Sequence, residues 1–515
     1  MTELSSCRFR IPLLVLVGMT LALGAWAQST TAGGIHGVVK DEMGAVIPGA
    51  AVTLRNVDTN NEQHINSGAE GEFRLTAVTP GNYAVEVTAA NFAPYRADGV
   101  IVQIGVLSTL EIKLGVAGKV ETVEVTGEMT MVNTAQADFA NNITQAQIQD
   151  LPTNGRRWSN FALLTPGAVP GDIYGLISFR GISGLMNNAT VDGGDNNQAF
   201  FSEERGRTRT NYVVSQASVR EFQVNTSNYS AEYGRAAGAV VNTVTKSGTN
   251  SLHGEGFWYI RDNELGATNS FTTHLVQNAA GGYSTEPFKP TDRRQQFGGS
   301  LGGPLVKDKF FFFFNYDGQR QNIPGVAMPS QPLSLFGPAT TVCASPADAT
   351  FSCSELTAMS KVGVTQAQAH AALDFLTATT GTQPRTNDQN IFFPKLDWTV
   401  NQNNSLSISY NRLRRTSPAG YQSPPVVGYG LGDWGDDGVK VDMVNARLSS
   451  AIRNTISNEL RFSWGRELDS STVGPQNPAY QPLVASATSL FQGMLGDTYF
   501  SGGGASYNIG LPYTL

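Results

Sequence analysis

The sequence predicts a mainly β, exported protein whose last part walls a membrane as an antiparallel β-barrel, and three observations carry that expectation. Apolar and polar residues alternate with a period of two in several stretches after residue 250. The N-terminus reads as an export signal. No later apolar run is long enough to cross a bilayer as a helix, so a membrane-embedded mature chain has to cross as strands.

The alternation is clearest over 455–464. Ile456, Leu460, Phe462 and Trp464 share one strand face, interrupted by Asn458, while Thr455, Ser457, Glu459, Arg461 and Ser463 share the other. A soluble sandwich produces the same pattern, so the compartment has to decide which apolar phase is meant. Arg8 and Arg10 precede an apolar run over 11–23, and Ala25-Trp26-Ala27 is a small-x-small signature, placing signal cleavage between Ala27 and Gln28. The run is shorter than the roughly 20 residues of a spanning helix.

Composition agrees with an exported β protein. The 515 residues include 55 Gly, 24 Pro and 15% charged residues, with a net charge of -7, so no global basic balance attracts nucleic acid. Of three cysteines, Cys7 leaves with the signal. Cys343 and Cys353 lie in one polar segment, consistent with a local disulfide in an oxidising compartment.

The first mature unit, over 28–118, alternates short apolar strands with turn signals. Val52 and Leu54 oppose Thr53 and Arg55; Phe73 and Leu75 oppose Glu72 and Arg74; Tyr83, Val85 and Val87 oppose Ala84, Glu86 and Thr88. Its turns are written in Pro48-Gly49, Gly68 to Gly71 and Pro80-Gly81-Asn82. The series Ile47-Pro48-Gly49-Ala50-Ala51-Val52, Gly71-Glu72-Phe73 and Pro80-Gly81-Asn82-Tyr83 resembles the carboxypeptidase-regulatory-like domain. That resemblance implies a seven-stranded transthyretin- or Ig-like sandwich with a carbohydrate-binding-like classification. A spacer or interaction module weighs above glycan binding.

A linker over 119–132 follows, with Val123 and Val125 set between Thr122, Glu124 and Thr126, and Val120 out of phase. An edge strand closing the first unit explains this stretch, and so does an extended segment open to strand addition by a partner. The third unit, over 133–250, mixes helices and strands. Asn154 is expected to cap a helix in which Trp158, Phe161 and Leu164 recur at helical spacing before Pro166-Gly167. Then come Ile177-Ser178-Phe179-Arg180-Gly181, Asn188-Ala189-Thr190-Val191-Asp192-Gly193-Gly194-Asp195, Val219-Arg220-Glu221-Phe222 and Gly238-Ala239-Val240-Val241-Asn242-Thr243-Val244-Thr245. This order resembles the α+β plug domain of TonB-dependent receptors. In that family a short extended segment before the plug is recognised by TonB, and the 120–126 stretch, with Val120, Val123 and Val125, is the candidate here.

Chemistry-bearing motifs in the third unit have structural competitors. Asp192 and Asp195 flank two glycines like part of a cation loop, but an EF-hand ligand series is absent and a tight turn is favoured. Arg205, Arg207 and Arg209 alternate in a polar loop, suited to solvent or to pairing with a surrounding wall. Arg180, Glu221, Glu232 and Arg235 are further candidates for such pairing.

From 251 to 515 the pattern is that of a barrel wall. Leu252, Trp258 and Ile260 share a face with Gly254 and Gly256; Phe257 and Tyr259 fall on the polar face, an irregularity that girdle aromatics would explain. Phe310 to Phe314 run together and cannot be amphipathic throughout. Leu406, Ile408 and Tyr410 alternate with Ser405, Ser407 and Ser409. Connections are unequal, short at Lys307-Asp308 and at 401–404 and long over 321–390, where a helix is expected near 367–378. The long loop and the 428–437 segment, with Tyr429, Asp433, Trp434, Asp436 and Asp437, are candidates for ligand contact on the outer side.

Enzymatic signatures are missing. Gly298 to Gly303 lacks the Lys and Ser or Thr of a phosphate cradle and ends in Pro304; no nucleophile elbow appears; His36, His64, His253, His274 and His370 have no zinc spacing. No catalytic residue, metal or cofactor is expected. Phe297-Gly298-Gly299-Ser300-Leu301-Gly302-Gly303-Pro304-Leu305 followed by Lys309-Phe310-Phe311-Phe312 resembles Oar-like TonB-dependent receptors, as does the whole domain order. The resemblance implies a receptor in a Gram-negative-type outer membrane, its first domain in the periplasm, contacting outer-membrane lipid and TonB. It implies energy-coupled uptake of a bulky extracellular nutrient, whether glycan, peptide or chelated metal. The family's barrel has about 22 strands, whereas 251–515 holds about seven or eight at roughly ten residues each plus loops, so a truncated, non-transporting receptor is expected. The competing readings are a secreted adhesin or structural β protein and an exported enzyme with an accessory sandwich.

Overall fold

The structure, a computed structural model, describes residues 31–117, 123–126, 139–171, 175–200, 202–206, 212–268, 270, 272–277, 283–327, 351, 353–378, 380–420, 426–427, 435–453, 456–473, 498–502 and 505–509. The chain is mainly β, as its periodicity predicts.

The first domain holds β1 (Gly33–Asp41), β2 (Ala51–Asn56), β3 (Glu62–Asn66), β4 (Glu72–Val78), β5 (Gly81–Thr88), β6 (Tyr95–Val102), β7 (Leu107–Leu114) and β8 (Val123–Thr126). They form two sheets, β4-β1-β7 and β3-β2-β5-β6-β8. Val52, Leu54, Phe73, Leu75, Tyr83, Val85 and Val87 point into one core with Ile35, Val39 and Ile112, so the alternation placed these side chains correctly. Ala84, expected on the polar face, is buried, because the register to β6 is irregular between Tyr83 and Val85. Gly71 has φ +70, and a Cβ there would lie 2.6 Å from the Val39 carbonyl oxygen. Gly71→Ala should therefore lower stability by about 2 kcal/mol or more; an unchanged urea midpoint for the first domain's transition would refute this.

The middle domain contains β9 (Phe139–Ile143), the β10 (Ala168–Pro170) and β11 (Ile177–Phe179) pair, β12 (Asn188–Val191), β13 (Gly194–Asp195), β14 (Val219–Ser227) and β15 (Val240–Thr245). Its sheet has the order β13-β12-β15-β14-β9. Ile148, Trp158, Phe161, Phe179, Phe222 and Val224 fill the core behind it. The expected helix capped by Asn154 does not form. The segment makes two 3-10 turns, Asn154–Arg156 and Trp158–Leu164, because left-handed dihedrals at Gly155 and Arg156 break the helical path. Trp158 and Phe161 are still buried, Leu164 is exposed, and the indole N–H of Trp158 donates to the Val214 carbonyl at 3.0 Å. A short helix that the sequence reading missed, Gln145–Asp150, has a reciprocal capping box between Thr144 and Gln147.

The remaining strands are β16 (His253–Asp262), a hairpin of β17 (Thr273–Gln277) and β18 (Tyr283–Pro287), β19 (Arg293–Val306), β20 (Phe310–Asn322), β21 (Gly325–Ala327), β22 (Gly381–Gln383), β23 (Thr386–Asn401), β24 (Asn404–Ser417), β25 (Val426–Val427), β26 (Gly435–Arg453), β27 (Ile456–Val473), and a hairpin of β28 (Thr498–Gly502) and β29 (Ala505–Ile509). Seven of them make one antiparallel sheet in the order β16-β19-β20-β23-β24-β26-β27. Its connections at one end are tight, at 307–309 and 402–403; at the other they are long, at 263–292, 323–385 and 418–434. The long loop starts later and ends earlier than the expected 321–390, because β20 and β23 stay paired out to Asn322 and Thr386. Both faces there are polar, which erased the sequence signal. The predicted loop helix is present as Gln366–Ala378, preceded by Cys353–Lys361.

Candidate functional site between the middle domain and the wall

The pleat of the large sheet sorts its side chains into an outer apolar belt and an inner polar face. One row across the outer face reads Gly303, Phe312, Leu396, Ile408, Ala446, Phe462, and the next reads Phe310, Trp398, Leu406, Leu448, Leu460. Leu396, Trp398, Ile408, Leu460, Phe462 and Trp464 are exposed. Six residues toward the long loops the row becomes Arg412, Asp442, Arg466, where Arg414 also binds Asp442 at 2.8 Å. The apolar belt thus runs about 20 Å along the strands, close to the ~25 Å band of outer-membrane barrels.

Two puzzles in the sequence resolve in this pleat. The phenylalanine run splits, with Phe311 and Phe313 buried on the inner side and Phe314 exposed on the outer. Phe257 and Tyr259 are not girdle residues. The Arg156 guanidinium lies 3.9 Å and 5.0 Å above their rings, so they face the middle domain and exchange a cation–π contact with it.

The inner face carries buried Asn315, Asp317, Gln319, Asn387, Gln389, Asn411 and Asn445, and the middle domain is bonded to it. Toward the long-loop end, Tyr212 and Val213 pack against Ile391, Leu413, Val439, Val441 and Met443 in a dry cluster. Around it the Tyr212 hydroxyl and the Ser215 hydroxyl donate to Asp317 at 2.8 and 2.6 Å, while the Gln389 and Asn411 amides donate to the Tyr212 and Val213 carbonyls. Burial and the neighbouring Asp317 push the Tyr212 phenol well above its ordinary value, so it remains a donor.

Charged pairs also cross the interface. Level with that cluster Arg205 meets Glu467 at 2.9 Å, and lower down Glu232 meets Arg461 at 3.7 Å and Lys246 meets Glu255 at 3.0 Å. Buried Lys395 donates to the Thr245 hydroxyl at 2.9 Å and to its carbonyl at 3.3 Å, and lies 3.8 Å from Asp192. Burial alone would raise the Asp192 carboxyl, but the Lys395 ammonium and the Thr245 N–H and O–H outweigh it and hold the group below its ordinary value.

The Asp192-Gly193-Gly194-Asp195 turn is therefore a docking turn. A Cβ on Gly194 would fall 2.0 Å from the Asn445 side-chain oxygen, so only glycine lets the turn lie flush on the wall. Close approach recurs at Gly248, where a Cβ would lie 2.3 Å from the Phe312 carbonyl oxygen. The Gly298-to-Gly303 stretch lies within β19, and a Cβ on Gly298 would meet the Tyr316 carbonyl at 2.1 Å.

Other predicted residues have other fates. Of the four pairing candidates, Glu232 reaches the wall; Arg180 donates to the Thr226 carbonyl, Arg235 binds Asp195, and Glu221 accepts from the Ile104 amide of the first domain at 2.7 Å. Arg207 and Arg209 lie outside the described residues, as do Ala27, Gln28, Val120, Cys343, Tyr429, Asp433 and Trp434. Val123 and Val125 stand in β8, paired in parallel with Tyr95 and Ala97 of β6. Cys353 is disulfide-bonded at the start of its helix. Asp436 accepts the Ala419 amide at 2.9 Å, closing the base of the β24–β26 connection, and Asp437, next to it within β26, is paired with Ser417. Among the described residues no three His, Cys, Asp or Glu side chains gather as a metal site. Lys395, Asp317 and Tyr212 were not singled out from the sequence; the nearest signal was a lysine on β23 and an aspartate on β20 at positions of the mainly uncharged polar face of each strand.

Residues 244–513 match the family model of an outer membrane beta barrel domain, and residues 34–115 that of a carboxypeptidase regulatory-like domain. The chain is similar to the TonB-dependent transporter Oar of Myxococcus xanthus, 26% identical over 318 residues that cover 59% of this chain and 28% of that protein. Among solved structures it is similar to a variant of the ferric enterobactin receptor of Pseudomonas aeruginosa in complex with enterobactin, at 15% identity, TM-score 0.39, covering 66% of this chain and 43% of that one. It is also similar to the outer membrane transporter YddB of Escherichia coli, at 14% identity, TM-score 0.40, covering 64% and 39%. The chain spans less than half the length of each of these relatives.

Proposed function

The chain belongs to the outer membrane beta barrel domain family and localises to the outer membrane, and from that premise we propose that it serves as a receptor for TonB-energised uptake of a bulky nutrient. The middle domain acts as the plug, the first domain stands in the periplasm, and the segment at Val120, Val123 and Val125 offers backbone groups to TonB. The long connections, including 323–385, where a disulfide between Cys343 and Cys353 is part of the proposal, and the stretch with Tyr429, Asp433, Trp434, Asp436 and Asp437, meet the ligand outside. Glycans, peptides and chelated metals remain the substrate classes, and the relatives are transporters and receptors, not enzymes.

The observation that carries this reading is a middle domain held mainly by side-chain hydrogen bonds and ion pairs to the inner face of a sheet whose outer face is apolar. Such contacts exchange with water at small net cost, so a pull from the periplasm can free part of the domain while the wall stays intact. The dry cluster at Tyr212 and Val213 is the exception, and it holds the end of the domain nearest the ligand loops. Cells expressing a closed barrel that contains this chain, offered labelled oligosaccharides, peptides or ferric chelates, should accumulate one class only when TonB is present and should keep surface binding without it, whereas the 515 residues alone are expected to accumulate none. Accumulation independent of TonB would contradict the proposal, and release of the mature protein without detergent would favour the secreted adhesin.

A further inference from the structure

The first domain is not tethered loosely beneath the wall. The turn between β6 and β7 inserts into the middle domain, and its tip residue Ile104 is fully buried. The Ile104 amide donates to Glu221, while its carbonyl accepts from the side-chain amides of Gln223 and Asn142, both at 3.2 Å. Asn142 also reaches Gln103 at 3.4 Å. Gly105 takes φ +68 there, and a Cβ on it would lie 2.3 Å from the Gln223 side-chain oxygen, so the loop is shaped to its partner.

The same domain also spans the tight-turn end of the wall. Asn60 donates to Asp308 in the β19–β20 turn at 2.8 Å, and the Asp58 carbonyl accepts the Asn250 amide. Across the sheet, Thr76 bonds Ser457 at 3.0 Å and Thr31 donates to Glu459 at 2.9 Å, both at the start of β27. Three anchorages therefore bracket the concave face: one at β19–β20, one at β27, and the Ile104 loop on the middle domain between them.

We propose that the first domain is a docked cap that closes the tight-turn mouth of the wall, and that it has to undock before the middle domain can yield a path. The function of the cap rests on the uptake reading above; the docking does not. An exchange of polar contacts at three small anchorages suits a cap that comes off, because each bond lost to the protein is regained from water.

Cysteines at Gln103→Cys and Asn142→Cys, oxidised in outer-membrane fragments, should cross-link in most molecules. The control pair Met43→Cys with Asn142→Cys should not, because Met43 lies beyond the opposite end of β1 from the Ile104 loop. Asn142→Cys alone should react with a bulky maleimide at least tenfold more slowly than in an Ile104→Glu background, which sets a second carboxylate against Glu221. Cross-linking no better than the control, or equal labelling rates, would overturn the proposal. Where uptake is measurable, the cross-link should abolish it reversibly on reduction while surface binding persists; undiminished uptake by the cross-linked protein would overturn the cap. Efficient cross-linking in a closed barrel containing this chain that shows no TonB-dependent uptake even after the cross-link is reduced would overturn the uptake reading and leave the docking intact.

Discussion

Replacing Lys395 by alanine is expected to destabilise the packed middle domain by about 3–5 kcal/mol, the cost of removing one partner from a buried charged contact. The ammonium is almost fully buried, donates to both the hydroxyl and the carbonyl oxygen of Thr245, and faces Asp192. Without it the Asp192 carboxylate stays buried and loses its nearest positive charge, keeping the Thr245 groups, Ser409 and the more weakly acting Arg447. Thr245 ends β15, where the chain leaves the middle domain for the wall, so the loss falls on the fixed end of that domain. The effect depends on pH with a defined sign. A carboxyl held below its ordinary value contributes stability that is present above the unfolded-state value and is lost as pH falls through the folded-state value. The difference between wild type and Lys395→Ala should therefore narrow in acid below about pH 4. Proteolysis of the middle domain across a urea series measures it. A midpoint unchanged at neutral pH would refute the prediction. Lys395→Met combined with Asp192→Asn should recover part of the loss, since no buried charge then remains unpaired.

Leu396→Arg is the second large effect. Leu396 lies in the middle of the outer belt, between Phe312 and Ile408 on the neighbouring strands. If lipid covers this face, an arginine there costs about 2–4 kcal/mol. If water covered it, a half-exposed leucine could be exchanged within about 0.5 kcal/mol. Refolding into lipid vesicles under urea distinguishes the two, and a near-neutral result would remove the membrane from the account of this sheet. Asp388, on the same outer face of β23 but beyond the belt, marks where the penalty should vanish.

Much of the architecture was legible in the chain because local rules write it. The strand cores at Val52 and Leu54, Phe73 and Leu75, and Leu460 to Trp464 follow from a period of two, and the tight turns at Gly71 and Asp308 from the residues that tolerate positive φ. Legibility failed where a long-range contact overrode a local rule. Trp158 and Phe161 have helical spacing, yet left-handed backbone at Gly155 and Arg156 sets Arg156 over Phe257 and Tyr259, more than 100 residues away. Those two aromatics then look anomalous on a polar face until the arginine above them is seen. Glu221 read as a partner for the wall and instead receives the Ile104 amide, where burial raises its carboxyl above the ordinary value despite Arg220 and that hydrogen bond.

By itself the sequence determined which face of each strand is apolar, where turns interrupt the strands, and that the chain is exported to a membrane-facing life. Only the tertiary structure decided which polar groups meet across the interface: Lys395 with Asp192 and Thr245, Asp317 with Tyr212, and the Ile104 loop with Glu221. The physical reason is range. Alternation is a property of neighbours two residues apart on one strand, whereas these partners are separated by 105 to 150 residues or more and are brought together by the register of strands that local pattern does not specify.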